Sequence, residues 1–408
     1  MALADDHPLD ANFFKEEQRP KLAREALHGI AGEFVDLTLP ETEADEVALL
    51  VSFLAGSGVL FGNRAYGVAC GRRHPPTDFY LLVGKTGQGR KGTATGHALA
   101  LMNAVDQDFE RLHVIRGLSS GEGLVQKISD RSQLMTVQER RFLAVIPEFG
   151  GLLEVMTRKG NTLSYNVRQA WDGDPLHVAT RGDPLEVSDV LLGSLGHVTA
   201  AELLNNLSQV SFMNGFANRY MHFDVHRSKL LPEGGQFVDY SALAGRLRQV
   251  VAIASARGGV LVRDEDAKHL WAQHYERLST PEDNLRGALL SRAEAHCLRL
   301  SVLYALLDGV DTVAAEHVRA ALALWAYSES SVGEIFGDRL GDPDAEKILD
   351  AMKHGPLSML DVSNLFGRNK SAEWLRAKLK AMEKADLIVE TEKEFNRKTV
   401  PAWKARKS

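Results

Sequence analysis

Cysteine is nearly missing from this chain: Cys70 and Cys297 are the only two among 408 residues. They lie far apart, in apolar or mixed surroundings, which argues against a disulfide framework or a zinc site and fits a reducing cytoplasm. Long apolar runs are missing too, and no stretch approaches the roughly 20 residues needed to cross a bilayer. The opening, MALADDHPLDANFF, carries acidic residues and lacks an apolar h-region, so it does not read as a secretory signal. There is no overall positive charge either. The net charge of −6 excludes a protein that coats nucleic acid over its whole surface, while leaving room for a local basic face. We find no internal repeat and no low-complexity tract. A chain that is 44% hydrophobic and 25% charged is an ordinary globular one, long enough for two or three domains.

What is present begins with Leu81-Leu82-Val83-Gly84-Lys85-Thr86-Gly87-Gln88-Gly89-Arg90-Lys91-Gly92-Thr93. Phe79 to Val83 reads as a buried strand, and Thr93 to Val105 has the spacing of a helix face. Strand, glycine loop, basic residue and helix form the layout of a phosphate-binding loop. Backbone N–H groups and the helix start cradle phosphates, a cation reaches the terminal one, and a hydroxyl holds magnesium. In G-x-x-x-x-G-K-[ST], Gly84 and Gly89 fit, but Arg90 stands where lysine belongs and Lys91 where the hydroxyl belongs. Either the loop is one residue longer, with Lys91 as the cation and Thr93 near the metal, or Arg90 fills the lysine slot. Lys91 is favoured, because an ammonium fits between phosphates as a point charge while a planar guanidinium needs more room.

Around the loop, Lys21 to Phe34 reads as one helix, Pro40 and Thr42 as a stop and a cap, and Asp45 to Phe61 as a buried helix. Tyr66 to Cys70 and Phe79 to Val83 read as strands joined by the turn Arg72 to Pro76. His113 to Arg116 is a short strand, and Ser119 or Ser120 caps a helix reaching about Ile128. Phe142 to Ile146 is an apolar strand that runs into Pro147-Glu148. In nucleotide hydrolases a strand beside the phosphate loop ends in Asp-Glu, the Asp serving magnesium and the Glu the attacking water. Here proline takes the Asp slot, and Glu148 alone remains for both metal and water. Pro175 to Thr180 and Pro184 to Ser188 look like a hairpin around Arg181-Gly182-Asp183. Val190 to His197 is a third core strand, and Thr199 caps the helix that follows. Phe212 to Phe223 leads into another strand. From Asp239 to Ile335 the pattern is almost all helical.

Gly337 to Pro343 is the clearest linker. Beyond it come three short helical patterns (Ala345 to Met352, Ser358 to Phe366, Ser371 to Ala385) and two strand-like pieces (Leu387 to Thr391, Thr399 to Trp403), joined by the charged turn Glu392 to Lys398. This order predicts a winged helix-turn-helix. Residues 341–408 carry 14 Lys/Arg against 11 Asp/Glu, a net +3. Arg368, Lys370, Arg376, Lys378 and Lys380 lie on or before the third helix, with Arg397 and Lys398 in the wing and Lys404, Arg406 and Lys407 beyond them. A DNA-reading helix would present such residues. The expected domains are 1–62, a helical segment; 63–238, the core; 239–336, a helical lid; and 344–408, the winged helix.

The order of these features resembles AAA+ ATPases, and among them the hexameric replicative helicases of the minichromosome-maintenance (MCM) kind. The expected fold class is therefore α/β, a P-loop AAA+ core with a helical lid and a C-terminal winged helix. The stretch Ala217-Asn218-Arg219-Tyr220-Met221-His222-Phe223-Asp224 resembles the segment carrying their arginine finger, which implies that role for Arg219. Ser291-Arg292-Ala293-Glu294 resembles their lid helix, which implies a sensor-2 role for Arg292, with Ser194 or His197 as the sensor-1 group. A closer resemblance is to the DUF3987-type proteins of phage, plasmid and mobile-element replication modules. It rests on Ala26-Leu27-His28-Gly29-Ile30-Ala31-Gly32-Glu33, Val83 through Thr93, Gly117-Leu118-Ser119-Ser120-Gly121-Glu122-Gly123-Leu124, Pro147-Glu148-Phe149-Gly150, Ala170-Trp171-Asp172-Gly173, Gly196-His197-Val198-Thr199 and Gly215-Phe216-Ala217-Asn218-Arg219. It spans roughly residues 26 to 336.

The leading expectation is an ATP- and Mg2+-dependent DNA motor, a hexameric helicase or a helicase loader, acting on single-stranded or forked DNA beside a primase-polymerase. His113, Arg116 and the 175–188 hairpin are candidates for lining a central channel. Lys91, Glu148 and Arg219 would be its catalytic residues. The alternative is a DNA-binding initiator whose degenerate nucleotide core serves assembly. A third reading is an ATPase of element defence or packaging.

Overall fold

A computed structural model of the chain describes residues 20–178, 185–206, 215–282, 284–337, 343–384, 387–395 and 398–406. Two compact units emerge, Met1–Gly337 and Asp338–Ser408. The N-terminal helices, the sheet and the later helices all belong to the first.

In the larger unit, helices α1 (Gly29–Thr38) and α2 (Glu46–Phe61) come first. Strand β1 (Phe79–Val83) leads through the glycine loop into α3 (Lys91–Val105). Then follow β2 (Val114–Ile115), α4 (Gly121–Ser132), β3 (Arg141–Ile146), α5 (Phe149–Met156) and α6 (Leu163–Asp172). After these come β4 (Leu191–Val198), α7 (Ala200–Asn206) and β5 (Tyr220–Asp224). The later helices include α8 (Ser241–Arg257), α9 (Ala293–Leu307) and α10 (Ala315–Phe336). The five strands make one parallel sheet in the order β2-β3-β4-β1-β5.

Successive residues of a strand point to opposite faces, and here both faces are covered. Tyr80, Leu82, Leu143, Val145, Leu195 and Phe223 join the core formed with α2, α3, α9 and α10. Phe79, Leu81, Val83, Phe142, Ala144 and Ile146 join a second core with α4, α5 and α6. A sheet buried on both sides gives the near-continuous apolar runs seen in the sequence. Helix α2 is buried from Val47 to Phe61. Its cap is Asp45, whose carboxylate accepts from the Val47 N–H at 2.8 Å, rather than Thr42, which accepts from Ala44 ahead of the helix.

Three local expectations change. Lys21 to Phe34 is not one helix: a short turn at Arg24–Ala26 precedes α1. The break is enforced at Gly29, at φ 56°, where a Cβ would lie 2.6 Å from Asp308 Oδ1. Arg72–His74 is not a turn but a strand, antiparallel to Ala65–Ala69, with the reversal at Cys70 and Gly71, both at positive φ. The helix capped at Ser120 continues to Ser132. The expected hairpin forms antiparallel strands Leu176–Val178 and Leu185–Val187, and its turn, Arg181-Gly182-Asp183, lies outside the described residues.

The smaller unit holds α11 (Pro343–Met352), strand β6 (Leu357–Ser358), α12 (Met359–Leu365), α13 (Ala372–Lys384), β7 (Ile388–Phe395) and β8 (Lys398–Ala405). The strands form an antiparallel sheet in the order β6-β8-β7. Strands β7 and β8 run through most of the stretch expected to be a charged turn. Ile348, Val362, Leu375, Leu379 and Ile388 form a separate small core.

Candidate functional site at the carboxyl edge of the sheet

The glycine loop leaves the carboxyl end of β1, an inner strand of the sheet, which is where open α/β sheets place ligands. Gly84 donates its N–H to Val198 O at 3.1 Å, tying the loop to the end of β4. A Cβ at Gly84 would lie 2.4 Å from Val225 O, so only glycine fits there. Lys85, Thr86, Gly87 and Gln88 are exposed, Gly89 is buried, and the Gly89 N–H closes the loop onto Lys85 O at 3.0 Å. Gly92 is exposed in the first turn of α3.

Arg90 and Lys91 go separate ways. Arg90 adopts φ 45°, a conformation most side chains avoid, and turns away: its Nε donates to Glu43 Oε2 at 2.7 Å. Lys91 opens α3 and curls over the loop, its Nζ donating to Gly84 O at 2.6 Å. A Cβ on Gly89 would be 3.5 Å from that Nζ. The ammonium therefore sits across the loop at a helix N-terminus, whose unpaired N–H groups also favour an anion. Burial holds the Lys91 pKa below its usual value. Thr93 is exposed in the first turn of α3, two residues after Lys91.

Glu148 follows Pro147 at the end of β3 and stands exposed as the N-cap residue of α5. Its strand belongs to the same parallel sheet, with β4 between it and β1. A second carboxylate is present that sequence reading passed over. Glu202, in α7, forms a capping box with Thr199: its Oε2 accepts from the Thr199 N–H at 3.0 Å and from Thr199 Oγ1 at 2.8 Å. The pattern T-x-x-E was its visible signal. Gly150, just after Glu148, approaches it so closely that a Cβ would be 3.1 Å from Glu202 Cβ. Hydrogen bonds from Thr199 hold the Glu202 carboxyl below its usual range, with a further pull from Lys91. Glu148 and Glu202 are hard oxygen donors, and Mg2+ takes one or two carboxylates with phosphate and water for the remainder, so the residues at this edge fit that ion.

Of the groups expected to read the nucleotide, His197 stays close to the loop and the others lie elsewhere. Ser194 is opposite Phe79, at the other end of β1, because β4 continues four residues past it, and its hydroxyl meets Tyr220 OH at 3.1 Å. His197 is buried beneath α3, where Nε2 meets Thr95 Oγ1 at 2.9 Å while Thr95 donates to Lys91 O. Burial, and then the charge of Lys91, push His197 down to about 4, so it supports the helix as a neutral ring. Arg219 and Arg292 gather at the opposite edge. Arg219, expected to project outward, is buried: Nη1 donates to Gly215 O at 2.6 Å and Nη2 to Asp172 Oδ2 at 2.5 Å. Arg292 lies 4.0 Å from Asp172 Oδ1. Both guanidiniums, with that of buried Arg299, face the Trp171 ring at 5.4, 4.9 and 3.8 Å. The Nε atoms of all three are buried without a hydrogen-bond partner. Burial, and then repulsion from Arg292, lower the Arg219 pKa. His113, a channel candidate, is also buried, with Nδ1 on Arg141 O at 2.8 Å. Arg116 pairs with Glu110 at 2.9 Å.

A cluster of His28, Asp308 and His317 has metal-like composition. Its hydrogen bonds point to a different use. Ala314 donates its N–H to His317 Nδ1 at 2.9 Å, which leaves the ring proton on Nε2, facing Asp308 Oδ2 at 3.1 Å. His28 Nε2 meets the same oxygen at 2.7 Å. The triad ties the start of α1 to the α9–α10 turn.

In the smaller unit the basic residues divide. Arg376 and Lys380 are exposed, one turn apart on α13. Lys370 bonds Asp344 at 3.1 Å and lies 4.4 Å over Trp374, and Lys378 lies 5.3 Å over the same ring, so both are engaged within the unit. Arg368 donates to Asn364 Oδ1. Arg397 and Lys407 lie outside the described residues, and of Lys398 only the backbone, in β8, is described.

Compared with protein-family models and with curated proteins, the chain matches none.

Proposed function

We propose that the larger unit binds ATP at Gly84–Thr93 in an AAA+ P-loop core of MCM-like kind, with the later helices as its lid. The smaller unit acts as a winged helix on DNA, and the protein is a cytoplasmic ATP-driven motor, a helicase or loader of a replication module. The observation that carries this is Lys91, whose ammonium lies across a glycine loop at the carboxyl edge of an inner parallel strand. In this reading the loop N–H groups and the α3 start hold the phosphates, and Lys91 leaves Gly84 O for the terminal one. Glu148 orients water. Bound Mg2+, held by Glu148, would neutralise charge on the β- and γ-phosphates. Arg219 and Arg292 lie at the sheet edge away from the loop, so they could serve a nucleotide only on a neighbouring subunit of a ring, a hexamer in the MCM-like case. Arg376 and Lys380 are the DNA-facing residues, and a primase-polymerase is the expected companion.

The second reading, an initiator with a non-hydrolysing core, is favoured by Pro147 in the Asp slot and by the Arg219–Asp172 ion pair. ATP turnover with and without single-stranded DNA separates the two. On the motor reading, DNA stimulates turnover, and Lys91→Ala and Glu148→Gln each lower it at least ~100-fold. Unchanged turnover in both variants overturns the enzyme reading. Tight ATP binding without turnover in the native protein supports the initiator.

A further inference from the structure

We propose that Asp172 is an internal stand-in for a phosphate group. In the free chain it fills an anion site between Arg219 and Arg292, and it yields that site to an incoming phosphate. The site lies at the sheet edge away from the glycine loop, so it stands whether or not the loop holds a nucleotide.

Three guanidiniums meet over one indole, those of Arg299, Arg292 and Arg219 around Trp171. Two carboxylates are near. Asp78 is taken up by His296, by Trp171 Nε1 and by the Phe79 N–H. Asp172 is the carboxylate ion-paired with the cluster among the described residues, its Oδ2 at 2.5 Å from Arg219 Nη2 and its Oδ1 at 4.0 Å from Arg292 Nη1. One negative charge against three positive ones leaves the cluster short of anion. The unpartnered, buried Nε of each arginine marks the same shortage, since buried polar groups are as a rule hydrogen-bonded.

Asp172 suits the arginines better than its own helix. It is the last residue of α6, where the carbonyl ends disfavour a negative charge. The segment Ala170-Trp171-Asp172-Gly173 thus sets the aromatic plate and the anion side by side, and Gly173, at φ 77°, turns the chain out of the helix directly after them. The three arginines differ in freedom. Arg299 is fixed, its Nη1 donating to Thr77 O at 3.1 Å and its Nη2 to Trp171 O at 2.8 Å. Arg219 and Arg292 share Asp172 instead. The Asp172 and Arg292 side chains are 21% and 34% exposed, so the shared pair opens to solvent. A phosphate brings more charge than a carboxylate and enough oxygens to meet two guanidinium forks at once. It displaces Asp172 rather than joining it, because two anions on the same pair repel. The phosphate is either free or the terminal group of a nucleotide on a neighbouring copy, and the chemistry recognised is the same.

The test is calorimetric titration of the full chain with inorganic pyrophosphate, in proteins that also carry Lys91→Ala so that the glycine loop contributes little. Asp172→Asn keeps an oxygen acceptor for Arg219 and removes the charge. It is expected to tighten pyrophosphate binding on the order of ten- to a hundredfold, and adding Arg292→Gln should remove the gain. Equal affinity with Asp and Asn at position 172 overturns the proposal. So does a gain that survives Arg292→Gln, which a general loss of negative charge would give. Should Asp172→Asn fail to fold, Arg292→Gln alone still decides, because Arg292 is partly exposed. Saturating pyrophosphate should raise the melting temperature of the Lys91→Ala protein, and Arg292→Gln should remove that rise. No rise, or an unchanged one, overturns the proposal. With Lys91 intact, sedimentation separates the two sources. Stronger ATP-dependent self-association of Asp172→Asn assigns the phosphate to a neighbour's nucleotide, and tighter pyrophosphate binding without any change in association assigns it to the free anion. If native protein fails to bind ATP while Asp172→Asn gains pyrophosphate, the nucleotide reading fails and this site stands.

Discussion

Replacing Asp78 with alanine removes one carboxylate from a fully enclosed polar network in the larger unit. Asp78 sits just before β1 with no exposed side-chain surface. Its Oδ1 accepts from the Phe79 N–H and from Trp171 Nε1, both at 2.9 Å, and its Oδ2 meets His296 Nδ1 at 2.7 Å. The other His296 nitrogen faces Asn218 O at 3.0 Å, so both ring nitrogens meet acceptors and both carry hydrogen. Alanine leaves that ring and the Trp171 N–H without their partner. A hydrogen bond to a charged group contributes about 1.5–3 kcal/mol, and removing one partner of a buried ion pair costs about 3–5 kcal/mol. The expected destabilisation of Asp78→Ala is therefore about 3–5 kcal/mol, measured by urea unfolding followed through tryptophan fluorescence. In a double-mutant cycle with His296→Ala, the coupling should exceed about 1 kcal/mol, because the second substitution removes the group that the first left unpaired. A cost below about 1 kcal/mol, or additive single effects, would refute the network as described.

Two further outcomes can be stated briefly. Asp308 raises the His28 pKa above its usual 6.5, through a hydrogen bond partly opposed by burial. A raised value means the stabilisation is complete below about pH 6.5 and is lost as pH climbs through the folded pKa. Thermal melts from about pH 6 to 9 should show a decline that His28→Gln flattens, worth under about 1 kcal/mol after solvent screening. Gly58→Ala offers helix α2 a propensity gain of about 1 kcal/mol. Its Cβ would meet Pro76 O, a backbone atom that cannot swing aside, at 2.3 Å. The net effect should be a loss of about 1–2 kcal/mol in the same urea assay.

The strands were readable because burial on both faces writes itself as continuous apolar runs, as in Phe79–Val83 and Phe142–Ile146. The glycine loop was readable because its geometry needs particular residues in particular places. What stayed hidden is non-local. Strand order is not in any one segment, so the place of β4 between the loop strand and the Glu148 strand was not visible. Arg219 seemed free because its partner, Asp172, lies 47 residues earlier. Ser194 seemed to sit at a polar strand tip. The small residues around it, Gly193 and Gly196, gave no sign that β4 stays buried as far as Val198. Strand β6, with two residues, is too short to announce itself. Glu202 did carry a local signal, but a capping box says only that a helix begins.

The placement of Lys91 at one edge of the sheet and of Arg219 and Arg292 at the other gives the larger unit a head and a tail. Five-residue strands keep those edges about 17 Å apart. A two-fold dimer can join the two kinds only with its subunits side by side and antiparallel, and it then closes with two such junctions at once. Head-to-tail association makes one such junction per contact, and each added copy leaves one head and one tail open until the chain of subunits closes. Whether such an assembly completes itself is thus a question of the angle between neighbours, a property that no single subunit carries in its own contacts.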